Sequence, residues 1–377
     1  MTAAGTEIVL TGFGLLTAYG RGVGAFWDGL LSGRSALGAG ERFSTAGYQD
    51  EPVGEVPFDG PAALTRKQAL LEAAVGEALH SAGLAELPDG CLLVLVGQAP
   101  EVGAAAPAEA AELAGPPLRV ARGGALFGGA PFYLSHACAS GAFGVALARE
   151  ALLSGAVRTA VVAGASALNP LEYASMQAVR AVGAAGARPF DRARAGITVG
   201  EGAGAVVLEH RRTARERGRA ADVLLGSAVV RVAGSKSAAS DEDVIADCVR
   251  AACAESGADR VDYVHAHATG TEQGDAAELR ALETLAAELD QRGLPVSSHK
   301  GAVGHLLHAS CFPALAAAAL ALRHATVPPT PGLTTPEPVD RLTLPTTPAP
   351  LSTPHHALLT SFGFGGNNAA LTLHHPS

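Results

Sequence analysis

Phe132-Tyr133-Leu134-Ser135-His136-Ala137-Cys138-Ala139-Ser140-Gly141 runs from an apolar entry into a cysteine ringed by small residues. A stretch that reads as a helix to about Leu153 follows at once. Strand, sharp turn and helix together mount a nucleophile. Helix-terminal N–H groups favour negative charge, so a thiolate with a lowered pKa is expected at Cys138. A cysteine among small residues is equally the pattern of a buried structural residue. The decision rests on whether the rest of the chain supplies partners.

Outward from that turn, strand-like and helix-like runs alternate. Ile8-Val9-Leu10-Thr11-Gly12-Phe13-Gly14, Leu92 to Val96 and Ala160 to Gly164 have the continuous apolar character of buried strands. Helical spacing places Phe26, Trp27, Leu30 and Leu31 on one face, and Leu71, Val75 and Leu79 on another, with Gly33 and Gly83 as stops. Ala205 to Glu209, Val223-Leu224-Leu225, Val261 to Val264 and Val296-Ser297-Ser298 continue the strand pattern in the second half. Ser240 to Ser256, Asp275 to Leu289 and an Ala-rich tract from Ala314 to Ala321 read as helices there. Leu358-Leu359-Thr360 and Ala369 to Leu373, joined by glycines, read as a closing hairpin. The class is α/β with layered sheets. The 377 residues, 48% of them hydrophobic, suffice for two units or one large duplicated one.

Composition removes several functions. A net charge of −9 argues against a broad nucleic-acid surface. Five cysteines, an odd number with no C-x-x-C pair, make neither a disulfide framework nor a zinc ribbon and fit a reducing cytoplasm. The first residues lack the basic region of a signal peptide. The Ala-rich tract is bracketed by His308, Pro313 and Arg323 too tightly for a membrane span. Gly200-Glu201-Gly202-Ala203-Gly204 resembles a dinucleotide fingerprint, but a strand follows it, not the helix that would hold a pyrophosphate. These glycines are expected to let two backbones approach. The basic run Arg211 to Arg219 reads as a solvated connection, with a docking patch for an acidic carrier as the alternative.

Three polar stretches at strand or turn ends lie in the second half. They are His265-Ala266-His267-Ala268-Thr269-Gly270-Thr271 with Gly274, Asp275 and Glu278; His299-Lys300 to Gly304-His305 with His308; and Ser361-Phe362-Gly363-Phe364-Gly365-Gly366-Asn367-Asn368. A cysteine, two histidine sites, a lysine and a glycine-rich turn able to offer a backbone N–H form a set for acyl chemistry on a thiol. The rival use of His265-x-His267 and His305-x-x-His308 as metal ligands lacks carboxylates in a metallohydrolase order.

With these stretches in order, the chain resembles the elongation-type β-ketoacyl-acyl-carrier-protein synthases of fatty acid and type II polyketide assembly. The matches also include Arg188-Pro189-Phe190-Asp191, the Gly200 to Gly204 run, and Arg323-His324 with Pro328-Pro329-Thr330. The resemblance implies a thiolase-like fold, two similar βαβ halves in a five-layer αβαβα arrangement, here 1–210 with the cysteine and 211–377 with the histidines. It implies Cys138 as the acyl-accepting nucleophile and His267 and His305 as the pair that promotes decarboxylation. Lys300 becomes their electrostatic support. The Cys138 and Phe364 N–H groups form the oxyanion hole, the Phe364 side chain the gate, and Thr269 and Thr271 contact the phosphopantetheine arm. No metal or bound cofactor is implied. The expected partners are an acyl carrier protein and a second copy or a related ketosynthase-like subunit. The alternative is a diverged acyltransferase or chain-length-factor-like subunit that does not elongate.

Several positions depart from the family pattern. They are Ser135 and His136 before the elbow, Ala268 for a glycine, Ala195 and Ile197, His308, Asn367 for a threonine, and Ala314 where a glutamate usually faces the lysine. Alanine at 268 is expected to strain the backbone if that glycine needs positive φ. Lys300 is expected to lack its carboxylate, and Pro313 to kink or start a helix. The chain is also short near 40–60, 100–116 and 230–240.

Overall fold

The computed structural model describes residues 7–42, 51–61, 65–97, 131–183, 185–220, 222–233 and 241–375. The Ala/Pro/Glu-rich insert, much of the loop near 40–60, most of 230–240 and Ser240 lie outside them.

In the first half, β1 (Ile8–Thr17), β2 (Gly20–Arg21), α1 (Val23–Leu31), α2 (Arg66–Ala82), β3 (Leu92–Val96) and β4 (Phe132–Leu134) precede α3 (Ser140–Leu153). β5 (Thr159–Ser166), α4 (Pro170–Ala178) and β6 (Gly202–His210) follow. The second half holds α5 (Arg211–Glu216), β7 (Leu224–Val232), α6 (Glu242–Ser256), β8 (Tyr263–His265), α7 (Glu272–Glu288), β9 (Leu294–Ser297), α8 (Lys300–Val303) and α9 (Cys311–His324). Three short strands, β10 (Thr326–Val327), β11 (Leu342–Thr343) and β12 (Ala349–Pro350), lead to the hairpin of β13 (His356–Gly363) and β14 (Asn367–His374).

The strands repeat a plan. The first half is ordered β1-β6-β5-β3-β4, the second β7-β14-β13-β8-β9, with β11 added at its edge. In each half the first two pairings are antiparallel and the next two parallel. Ile8 and Val9 of β1 pair with Leu225 and Leu224 of β7, and this short seam joins the halves. α2 covers β1, β5 and β6 on one outside, and α6 covers β7 and β14 on the other, with α7 packed beside α6 and against β11. α3 and α9 lie between, touching strands of both halves. The result is the five-layer thiolase-like arrangement.

Local chemistry sets the ends. Thr65 accepts from the Gln68 N–H to cap α2, and Gly83 closes that helix at φ 69°. Asp241 caps α6 through the Asp243 N–H. Pro313 occupies the first turn of α9, where a missing N–H costs nothing, so it starts a helix instead of kinking one. Alanines 316–319 and 321 of α9 are buried, and their small size lets the helix lie between two sheets. The glycines before β6 do bring backbones together: a Cβ on Gly200 would sit 2.4 Å from Val303 O.

The basic run departs from the solvated connection read in the sequence. It begins as α5 and is tied down by acids. Arg211 meets Glu7 at 2.6 Å, and Arg217 meets the buried Glu209 at 2.5 Å. Arg219 donates to Ser81 O. Charge counting along a sequence does not show which carboxylates the fold brings alongside. α7 likewise starts three residues before the expected Asp275, and α9 extends beyond the Ala-rich tract at both ends.

Candidate active site

The turn between β4 and α3 delivers Cys138. Ala137 before it sits at φ 49°, in the left-handed region that costs an alanine about 1–2 kcal/mol. Two donors hold that conformation: Ser140 Oγ–H reaches Ala137 O at 2.6 Å, and His308 Nδ1–H reaches the same oxygen at 3.1 Å. Burial, with Lys67 adding to it, pushes His308 down to about 4, so its imidazole is neutral. Strain therefore lies at Ala137. Ala268, where it was expected, has no positive φ; Gly270 takes that conformation at 88°. The end of β13 presses against the elbow, and a Cβ on Gly363 would lie 2.8 Å from His136 O and 3.0 Å from Cys138 N.

Cys138 is partly exposed through a cavity of about 390 Å³ that His267, His305, Thr269, Thr271, Phe364 and Met176 also line. The structure thus gathers all the sequence-predicted site residues around one space except Lys300, which lies behind it. Protein nonetheless packs densely around the sulfur. Burial pushes the Cys138 thiol up to about 11, with Lys300 pulling the other way. The expected lowering of its pKa does not hold in this structure, because desolvation of a thiolate outweighs the nearby charge.

His267 follows β8. Its Nδ1 accepts from the Phe362 N–H at 3.2 Å, which leaves the ring proton on Nε2. His305 follows α8, and its Nδ1 pairs with Ser310 Oγ at 2.6 Å. The two rings stand 5.6 Å apart and nearly perpendicular, at 85°. Burial first, and then the Lys300 charge, lower both imidazoles well below the usual histidine range. Both are therefore neutral and can donate without carrying charge.

Lys300 is 1% exposed and its ammonium donates to His267 O. The expectation that it lacks a carboxylate is only half met. Among the described residues none comes within ion-pair distance, but the buried Glu278 and Asp275 supply the opposing field that keeps its charge tolerable. Burial pulls Lys300 down and pushes Glu278 up. Glu278 also holds the strand end, accepting from the N–H of His267 at 2.9 Å and of Ala268 at 2.8 Å. Asp275 accepts from the N–H of Thr269 at 2.9 Å and fixes the following turn. Thr269 Oγ1 and Thr271 Oγ1 are 3.2 Å apart.

The anchoring role of Glu278 and the Ser310 partner of His305 were not read from the sequence. For Glu278 a signal existed: Asp275 and Glu278 are three apart on a helix, so both carboxylates share one face. The other two histidines face different partners. His265 joins Tyr263 and His299 in a buried chain, at 2.7 and 2.8 Å. Among the described residues no three potential ligands converge on a metal position.

A strand-end cysteine and two neutral imidazoles, drawn from the two halves of a thiolase-like fold, define the class as an acyl-transferring enzyme. The comparisons make the assignment finer. Residues 126–214 match the model of the beta-ketoacyl synthase N-terminal domain, and residues 223–334 that of the C-terminal domain. The granaticin polyketide putative beta-ketoacyl synthase 1 of Streptomyces violaceoruber is 30% identical, with 98% of each chain covered. The 3-oxoacyl-[acyl-carrier-protein] synthase 2 of Vibrio cholerae is 28% identical over 97% of this chain and 98% of its own. Among solved structures, the ishigamide ketosynthase/chain length factor superimposes with a TM-score of 0.84 at 26% identity, covering 98% of this chain and 99% of that one. The chain belongs to the beta-ketoacyl synthase family and is a ketosynthase of the polyketide and fatty acid type. Among the described residues no helix is long and apolar enough to cross a membrane.

Proposed function

We propose that this ketosynthase accepts an acyl group on Cys138 and condenses it with a malonyl-type unit borne by an acyl carrier protein. The observation that carries this reading is the meeting of Cys138, His267 and His305 at one cavity. In the first step the Cys138 sulfur attacks the carrier thioester. Its carbon–sulfur bond breaks, and the carrier thiol leaves with the proton that Cys138 gives up. In the second, the malonyl unit loses CO₂ and its thioester oxygen gathers negative charge. The Nε2–H of His267 donates to that oxygen, and His305 does likewise when Ser310 Oγ–H occupies its Nδ1. The carbanion then attacks the acyl carbon, and the Cys138 sulfur leaves. Negative charge on the acyl oxygen is met by the N–H groups of Cys138 and Phe364, neither of which has a backbone acceptor among the described residues. Each such donor is worth about 3 kcal/mol of barrier.

Lys300 supports this reading by adding its charge to the burial that keeps both imidazoles neutral. Thr269 and Thr271, at the cavity wall, suit the phosphopantetheine arm. Nothing in the scheme needs a metal or a bound cofactor. The relatives named for carrier-protein substrates and for a ketosynthase/chain length factor support an acyl carrier protein as partner, with a second ketosynthase-like chain or a second copy alongside. The two halves, 1–210 and 211–377, serve as nucleophile and donor units, and a cytoplasmic enzyme fits this chemistry. Intact-protein mass spectrometry with acyl- and malonyl-carrier thioesters tests the proposal. Acyl mass should appear on the wild type and be absent from Cys138→Ala. Carbon–carbon bond formation should follow when malonyl-carrier is added. Loading without condensation, in the presence of the partner subunit, would favour the non-elongating reading.

A further inference from the structure

Two of the positions that depart from the family pattern, His136 and Asn367, touch each other. His136 Nδ1 lies 3.0 Å from Asn367 Oδ1, and Asn367 Nδ2 donates to Phe364 O at 2.7 Å. The second bond fixes the first. A carbonyl only accepts, so the amide nitrogen must face Phe364 O and the amide oxygen must face His136. The imidazole therefore donates through Nδ1. The ring is itself clamped, stacked on Phe143 of α3 with centroids 4.0 Å apart at 17°. At its other end the chain meets a turn whose far side is held, Gly366 O accepting from the Ala233 N–H at 3.0 Å and from Asn368 Nδ2 at 2.8 Å, while Asn367 holds the Phe364 side. Gly365 and Gly366 follow Phe364 at φ 81° and 74°, and glycine moves among such conformations cheaply. The Phe364 side chain is 39% exposed and shares the cavity wall with Cys138.

We infer that His136 and Asn367 form a latch that holds the Phe364 turn over Cys138 and so limits the size of the group that reaches the sulfur. Both are positioning residues. The latch acts from the elbow itself, because His136 is two residues before the nucleophile. Its O accepts from the Ala139 N–H and its N–H donates to Ser140 Oγ, at 3.1 and 2.8 Å. The inference that acyl size is what the latch selects rests on the proposed function; control of access to the sulfur does not.

The test compares alkylation of Cys138 by a small reagent, iodoacetamide, and a bulky one, N-phenylmaleimide, followed by intact mass. Asn367→Ala removes both bonds. Asn367→Asp keeps an acceptor for His136 and sets a repelling oxygen against Phe364 O. His136→Phe keeps the stack and removes the donor. Each should raise the bulky-to-small rate ratio by at least about fivefold, the factor for one net hydrogen bond. The ratio of decanoyl- to acetyl-carrier loading should rise with it. General loosening of the protein changes both rates together and leaves the ratio alone. Ratios equal to wild type in all three folded variants would overturn the latch. A raised alkylation ratio in a protein that takes no acyl group from any carrier would support the latch and overturn the ketosynthase reading.

Discussion

The two half-sheets share strand order and strand sense, yet they place different chemistry at the same address. In the first half the last strand of the shared order, β4, runs into the Cys138 elbow and α3. In the second half its counterpart, β9, runs into Lys300, His305 and then α9. The second half also uses the ends of β8 and β13, for His267 and Phe364. Different physics stabilises the two sides. The cysteine side rests on a strained alanine held by a serine hydroxyl and a neutral histidine. The histidine side rests on buried charge, with Lys300 opposed by Glu278 and Asp275. The repeated plan offers two equivalent strand ends, and in the proposed function only the side chains placed on them divide the labour between nucleophile and donors.

Breaking the donor side alone is expected to have the largest effect. His267→Ala should cut condensation by about 10²–10³-fold, the cost of one lost donor, while acyl loading of Cys138 persists. Carbon dioxide release and intact mass, read together, check this. Equal loss of both steps would mean that the halves do not divide the work. Lys300→Met reaches across the division. Thiolate fraction rises with pH below the thiol pKa of about 11, so wild-type alkylation of Cys138 should still be climbing at about pH 9–10. Lys300 lowers that pKa; without it the profile moves to higher pH, and alkylation at about pH 8 falls roughly tenfold for every pH unit the profile moves. The rate–pH curve with iodoacetamide reads this directly. Gly204→Ala tests the packing between β6 and α9, because its Cβ would sit 2.2 Å from Phe312 Cβ. A loss of about 1–3 kcal/mol is expected from the denaturant midpoint. Arg323→Ala should matter least: its pair with Asp222 is 42% and 50% exposed, so about 0.5 kcal/mol or less is at stake.

Much of the frame was legible in the sequence because strands buried on both faces, such as Leu92 to Val96, leave an unbroken apolar signature. The hairpin and the Thr65-capped helix were legible for equally local reasons. The residues that share the cavity with Cys138 were legible as an ordered set of motifs. What escaped was whatever depends on distant contacts. The 85° ring geometry, the burial that raises the Cys138 thiol and the field of Glu278 on Lys300 all arise between segments far apart in the chain. The contact of His136 with Asn367 spans 231 positions, and each residue alone reads only as a substitution.

The seam between the halves bears on how the chain is made. β1 precedes the other described strands in the chain, yet Ile8 pairs with His210 and with Leu225. At about 5–20 residues per second, β1 waits on the order of 10–40 s for those partners. During that time its unpaired N–H and C=O groups are open to any other strand. A strand that waits this long for distant partners favours a slow folding step, so yield in a heterologous host should depend more on chaperone supply and growth temperature than on the stability of the finished enzyme.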